Sequence, residues 1–286
     1  MYYLLGLEAN VTNLVLASKS AGAGDIRSPR ELKAAYQTYL ATRQPSVTLS
    51  RSGEIELVAF SRDVVELARL YAQPEASGAD RLTDDDIEET FARSDREAVV
   101  GRIERIRAAR AFIARTNPEV SELFELAVNR IFFLPVESMC GGTVPDAIGV
   151  IWANPSPTWD LQDVVELLLH ELNHTLGFVD EAVKSHYTDR DRLLDSKSFA
   201  MSSIRRCPRR LDLAVSSLAV GAEILRARSE WLGHPKSPRA HPPTDILVHS
   251  CRQTIESIHA IPTHRELLSE RGLEIVGRCA AIVERC

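Results

Sequence analysis

The sequence predicts an α+β fold, predominantly helical, in which a few short strands lead into a helix carrying His170-Glu171-Leu172-Asn173-His174. Three observations predict it. Apolar residues recur at helical spacing through much of the first 125 residues. Two short apolar runs, 131–136 (IFFLPV) and 147–152 (AIGVIW), then read as strands. The motif itself lies in 164–176, a stretch with few helix breakers. The expected division is a helical N-terminal region over 1–125 and a metal-binding catalytic region over 126–286.

In chain order, 29–40 and 54–71 carry apolar residues between Glu, Arg and Lys, as two amphipathic helices would. Gln73-Pro74-Glu75-Ala76-Ser77-Gly78 reads as a break. From Asp84-Asp85-Asp86 a charged segment runs to about Thr116, acidic at its start and arginine-rich towards its end, which suits a helix macrodipole. Between the two predicted strands, Cys140-Gly141-Gly142-Thr143 forms a turn. Asn154-Pro155-Ser156-Pro157 ends the second strand, and Asp160 is placed to cap the motif helix. Beyond the motif, 211–225 is a strongly apolar helix and 233–244, with four prolines, is a loop. Residues 246–261 and 265–285 read as two closing helices.

Composition narrows the function classes. At 286 residues and 44% apolar content the chain can bury one large core or two smaller ones. A net charge of −6, with both signs interspersed, argues against generic binding to nucleic acid or anionic membranes. No stretch is long and apolar enough to cross a bilayer, and 1–9 lacks the basic segment of a signal peptide, so a cytoplasmic location is expected. The five cysteines (Cys140, Cys207, Cys251, Cys279 and Cys286) are widely spaced and contain no C-x-x-C pair. That pattern predicts free thiols rather than a zinc-cysteine cluster or a disulfide scaffold. Cys140 is expected to be a small turn residue, not a nucleophile. His234, His241 and His249 are expected at the surface.

The motif carries the chemistry. At i and i+4, the His170 and His174 imidazoles share one helix face and can hold one metal ion. Glu171, between them, is placed to accept a proton or to orient a metal-bound ligand. Two histidines need a third ligand, and three carboxylates compete. Asp180 sits where H-E-x-x-H-x-x-G-x-x-D would place it, after Gly177, and Glu181 is its neighbour. Glu223 is the sole charged side chain in 213–225. A buried lone carboxylate costs several kcal/mol unless it is paired or metal-bound, so Glu223 is the best-motivated of the three. Arg205, Arg206, Arg209 and Arg210 crowd around Cys207-Pro208. Such runs are mostly solvated, yet a guanidinium fork matches a carboxylate bidentately, and one of the four is a candidate anchor for an acidic co-substrate.

The run from strand to H-E-x-x-H helix is the order of the zincin core, in which an edge strand can hold an extended peptide by backbone pairing. Over roughly 130–260, the chain also resembles a bacterial family of HExxH-type putative peptide-modification proteins, described as 2-oxoglutarate-dependent peptide β-hydroxylases of ribosomal peptide natural-product pathways. The resemblance rests on Leu169-His170-Glu171-Leu172-Asn173-His174, on Phe178-Val179-Asp180-Glu181 and on the block from Ser203 through Arg210 to Leu211-Asp212. The apolar helix with Glu223 continues it. One position departs: a histidine-serine pair is expected early in that helix, and this chain has Ser216-Ser217. The resemblance implies Fe(II) on His170, His174 and a carboxylate, with 2-oxoglutarate held by an arginine of 205–210 and a ribosomally made precursor peptide as substrate. Glu171 then orients or supports. The alternative is a zinc metallopeptidase with Glu171 as general base. A third reading is a non-enzymatic peptide-binding partner with a vestigial metal site.

Overall fold

The computed structural model describes residues 1–50, 52–72, 83–136 and 139–286. The break expected at 73–78 lies outside the described residues. The fold is α+β and mostly helical, with one small mixed sheet and a separate two-stranded ribbon. By contact the chain forms two compact units, one from 11–175 and the other from 1–10 together with 176–286. The division by contact falls within the motif helix. Its physical reason lies in the first unit's sheet, which recruits a strand from the N-terminal region.

In the first unit, helix α3 (Pro29–Arg43) starts at Ser28, whose side chain accepts from the Glu31 N–H, with proline at the first helical position. The helix expected over 54–71 is corrected. Its first part is strand β1 (Glu56–Val58), and only α4 (Asp63–Arg69) is helical. The local spacing is helix-compatible, but β1 is held by residues far along the chain, pairing in parallel with β2 (Arg130–Phe132). Tertiary pairing here overrides periodicity. The charged segment is two helices, α5 (Asp84–Arg93) and α6 (Arg96–Thr116), because Asp95 caps the second. Helix α7 (Pro118–Ala127) follows. Lys33, buried on α3, donates to the carbonyls of Glu125, Leu126 and Val128 at 2.7, 3.2 and 2.6 Å, satisfying the C-terminal end of α7. Burial lowers the pKa of its ammonium to about 8.

Strand β2 also pairs in parallel with β4 (Val150–Ala153), and β4 pairs antiparallel with β3 (Gly141–Gly142). The sheet order is therefore β1-β2-β4-β3. All of β2 and β4 is buried; the apolar residues pack between covered faces, and Arg130 at the start of β2 is paired with Glu56 and Asp63. Phe132, Val150, Trp152, Val64, Val65 and Tyr71 share the core on one face. The Tyr71 hydroxyl donates to the Val150 carbonyl at 2.9 Å, and the Trp152 indole donates to Leu134 O at 2.9 Å. The motif helix α8 (Leu161–Lys184) follows β4 and outruns the predicted span at both ends.

The second unit is built on α9 (Leu211–Ala227), against which α10 (Thr244–Ala260) and α12 (Glu270–Val283) pack. The closing helix expected over 265–285 is broken into α11 (His264–Leu267) and α12, because Ser269 caps α12 by accepting from the Gly272 N–H. Strands β5 (Phe199–Met201) and β6 (Pro208–Arg210) form the ribbon that carries the arginine block. At the start of the chain lies the short α1 (Tyr2–Leu5), followed by α2 (Leu7–Ser20). Among the described residues no helix is long and apolar enough to cross a membrane. All five cysteines are free thiols.

Candidate metal centre

Helix α8 begins as the sequence predicts. Asp160 accepts from the Asp163 N–H at 2.9 Å, and Asp163 returns the bond to the Asp160 N–H at 3.3 Å, a reciprocal cap. Every residue from Asp163 to Leu169 is buried, so the approach to the motif is embedded on all sides.

On that face the His170 and His174 Nε2 atoms stand 2.9 Å apart, with ring centroids separated by 4.7 Å. Both rings are half-buried. Metal–imidazole distances of about 2.0–2.1 Å put two ligands of one ion roughly 3 Å apart, so the pair fits a shared ion. One nitrogen from each ring and one Glu171 oxygen lie within 4.8 Å of one another. These three residues fit a metal.

Glu171 itself is buried, 3% exposed. Its Oε2 accepts from the Thr143 hydroxyl at 2.8 Å. Burial pushes its carboxyl pKa up to about 8, against the opposing pull of that bond. Such a group can hold a proton at neutral pH and release it, the property asked of a general acid or base.

Strand β3 borders Glu171. A side chain at Gly141 would bring a Cβ to 2.7 Å from the Trp152 carbonyl and 3.5 Å from Glu171 Oε1, so only glycine lets the backbone pass here. The strand leading into α8 was expected to be the peptide-holding edge. That is corrected: β4 is interior, and the edge next to it is the two-residue β3. Asn154, read from the sequence only as part of a strand-ending loop, ties this edge down. Its N–H donates to Cys140 O at 2.7 Å, and its amide nitrogen donates to Val136 O and Met139 O at 2.6 Å each. Thr143 and Asn154 carry no periodic signal; only their place around a Gly-Gly turn points to them. Where a turn was expected over Cys140-Gly141-Gly142-Thr143, the two glycines form β3, and Cys140 is exposed just before it.

The third-ligand candidates belong to the other unit, and each has partners there. Asp180 is fully buried and accepts from Arg271 Nε and Nη2 at 2.9 and 2.7 Å, with His186 Nε2 2.7 Å away. Glu181 pairs with Arg190. Glu223 is buried as predicted, and its two oxygens accept from the Tyr3 and Leu4 backbone N–H groups at 3.1 and 2.9 Å. The burial argument that singled out Glu223 therefore has an answer without a metal: its carboxylate satisfies two amide donors near the start of α1.

The arginines divide. Arg205 and Arg206 are exposed in the turn between β5 and β6, with Arg206 at a φ of 53°. Arg209 and Arg210 are half-buried on β6. Arg210 grips Asp212 through Nε and Nη2 at 3.2 and 2.9 Å. The Ser217 hydroxyl accepts from the Ser203 N–H at 3.1 Å, linking the ribbon to α9. Of the three loop-region histidines, His234 and His249 are exposed, but His241 is buried at 5%, a correction to its expected surface position. His186 and Arg271 were not anticipated at all. Comparison with protein-family models and with curated proteins found no match.

Proposed function

We propose that this chain is a metal-dependent peptide-modifying enzyme centred on His170, Glu171 and His174. The single observation that carries the reading is the convergence of two imidazoles, a buried carboxylate and a sheet edge in one unit. The zincin-like reading of the fold rests on the same arrangement. An extended peptide laid along β3 would pair its backbone beside the Glu171 carboxyl.

The preferred chemistry is side-chain β-hydroxylation of a ribosomally made precursor peptide with Fe(II) and 2-oxoglutarate, supported by the resemblance carried on 203–212. Iron there would supply oxygen activation and leave positions for the co-substrate. His170 and His174 would hold it; Glu223, Asp180 or Glu181 would serve as third ligand only by giving up the partners each has in its own unit. Arg205, Arg206 and Arg209 remain candidates for the distal carboxylate of 2-oxoglutarate. Arg210 would have to leave Asp212 to serve.

A zinc peptidase is the second reading, favoured by one specific observation. Glu171 is buried beside the two imidazoles and hydrogen-bonded to Thr143, which places its carboxylate to take a proton from an attacking water. Anaerobic purification, iron reconstitution and measurement of 2-oxoglutarate conversion to succinate separate the two. Succinate that requires iron and His170 supports the hydroxylase. Tight zinc with peptide cleavage and no succinate overturns it in favour of the peptidase. A protein that binds neither metal is a peptide-binding partner.

A further inference from the structure

A groove in the second unit combines apolar walls with basic side chains and lies outside the machinery described above. Helix α12 presents Leu273, Val276 and Gly277 to it, residues spaced three and four apart and so on one helix face. Ile258 and Leu268 supply further apolar surface, and the groove encloses about 300 Å³. Leu273 is 36% exposed. At one side stand His259, His264 and Arg265, and none of the lining side chains is acidic.

The basic groups are disposed for an anion. His264 Nδ1 lies 2.8 Å from the Ile261 carbonyl and donates to it, so Nε2 is open to a second partner and donates to an anion in the imidazolium form. The His259 and His264 rings are 5.5 Å apart. Two neighbouring acids are engaged elsewhere, Glu266 with Arg192 and Glu274 with Arg271 and Arg278. Arg265 is exposed and meets no ion-pair partner among the described residues. In a chain of net charge −6, this is a local basic spot beside an apolar slot.

We infer that the groove binds a small aliphatic carboxylate, its chain against Leu268, Leu273 and Val276 and its carboxylate at Arg265 and His264. Size narrows the class. At about 30 Å³ per water-sized group the volume holds roughly ten non-hydrogen atoms, the size of a free medium-chain acid and too small for a folded partner.

Octanoate is the probe, titrated into the full chain by calorimetry and by amide NMR. The expected dissociation constant is about 1 mM, in line with a half-open site and a ligand of this size. Gly277→Leu should abolish binding by filling the slot. A Cβ at Gly277 meets no atom within 4 Å, so the helix has room for it. Arg265→Gln should weaken octanoate by about twofold to fivefold, the range for an exposed charge pair, and leave octan-1-ol unchanged. Three results would overturn the assignment: no saturable binding by the wild type, undiminished binding by Gly277→Leu, or equal affinity for the alcohol and the acid. A short peptide ending in leucine that binds more tightly than octanoate would overturn the free-acid assignment.

Discussion

Glu171 and Asp180 are buried carboxylates on the same helix, and their surroundings drive them in opposite directions. Burial pushes the Glu171 carboxyl up, and a single neutral hydroxyl opposes it. For Asp180 burial acts the same way, but the hydrogen bonds of His186 and Arg271 outweigh it and hold the carboxyl well below the usual range. Depth does not separate them; the partner's charge does. A carboxylate gripped by a guanidinium is committed to structure, whereas one facing a hydroxyl and two imidazoles keeps a proton to exchange.

The most drastic way to break the contrast is to remove the imidazoles. His170→Ala with His174→Ala should lower metal affinity by more than about a hundredfold, beyond what loss of a supporting residue costs, as measured by metal content after dialysis. Retained stoichiometric metal would refute the assigned centre. Glu171→Gln should keep the metal and lower peptide cleavage by at least about a hundredfold, the scale of a lost general base. If hydroxylation is the reaction, the same variant should show only a weakened rate.

At the other carboxylate the effect is on stability. Arg271→Met leaves Asp180 buried with His186 alone and should cost about 3 kcal/mol in urea unfolding. The sign with pH follows from the lowered pKa. Asp180 contributes stability that is complete above its unfolded value of about 3.9 and drains away as pH falls towards its folded value. Wild-type stability should therefore drop between about pH 5 and pH 2, and Arg271→Met should flatten that drop. An unchanged slope would mean that another group governs acid unfolding. Thr143→Val is the mildest test. Loss of one hydrogen bond, about 1 kcal/mol, should lower turnover by about fivefold while Thr143→Ser restores it.

What the sequence made legible follows the range of the interactions involved. The α8 helix, its Asp160 cap, the apolar α9 and the strands around 131 and 150 all announce themselves through local spacing and capping. Strand β1 did not, since its three residues sit in a stretch whose spacing also suits a helix and are held by β2 far along the chain. Strand β3 is two glycines, with no side chain to show an alternation. The fate of Glu223 was unreadable for the same reason: its donors are amides more than two hundred residues away, and backbone groups leave no mark in a sequence. Asp180 fitted a ligand spacing, but nothing nearby announced Arg271 as its partner. Pattern located the imidazole pair. Long-range partners decided the carboxylates.

The lysine that closes α7 has a practical consequence. Of the five lysines, Lys19, Lys184, Lys197 and Lys236 are exposed, whereas the Lys33 amine is sequestered by three carbonyls. An amine-reactive label should thus mark four sites at once and the fifth only when α3 and α7 part. Delayed modification of Lys33, followed by mass spectrometry, becomes a built-in clock for the opening of that half of the protein.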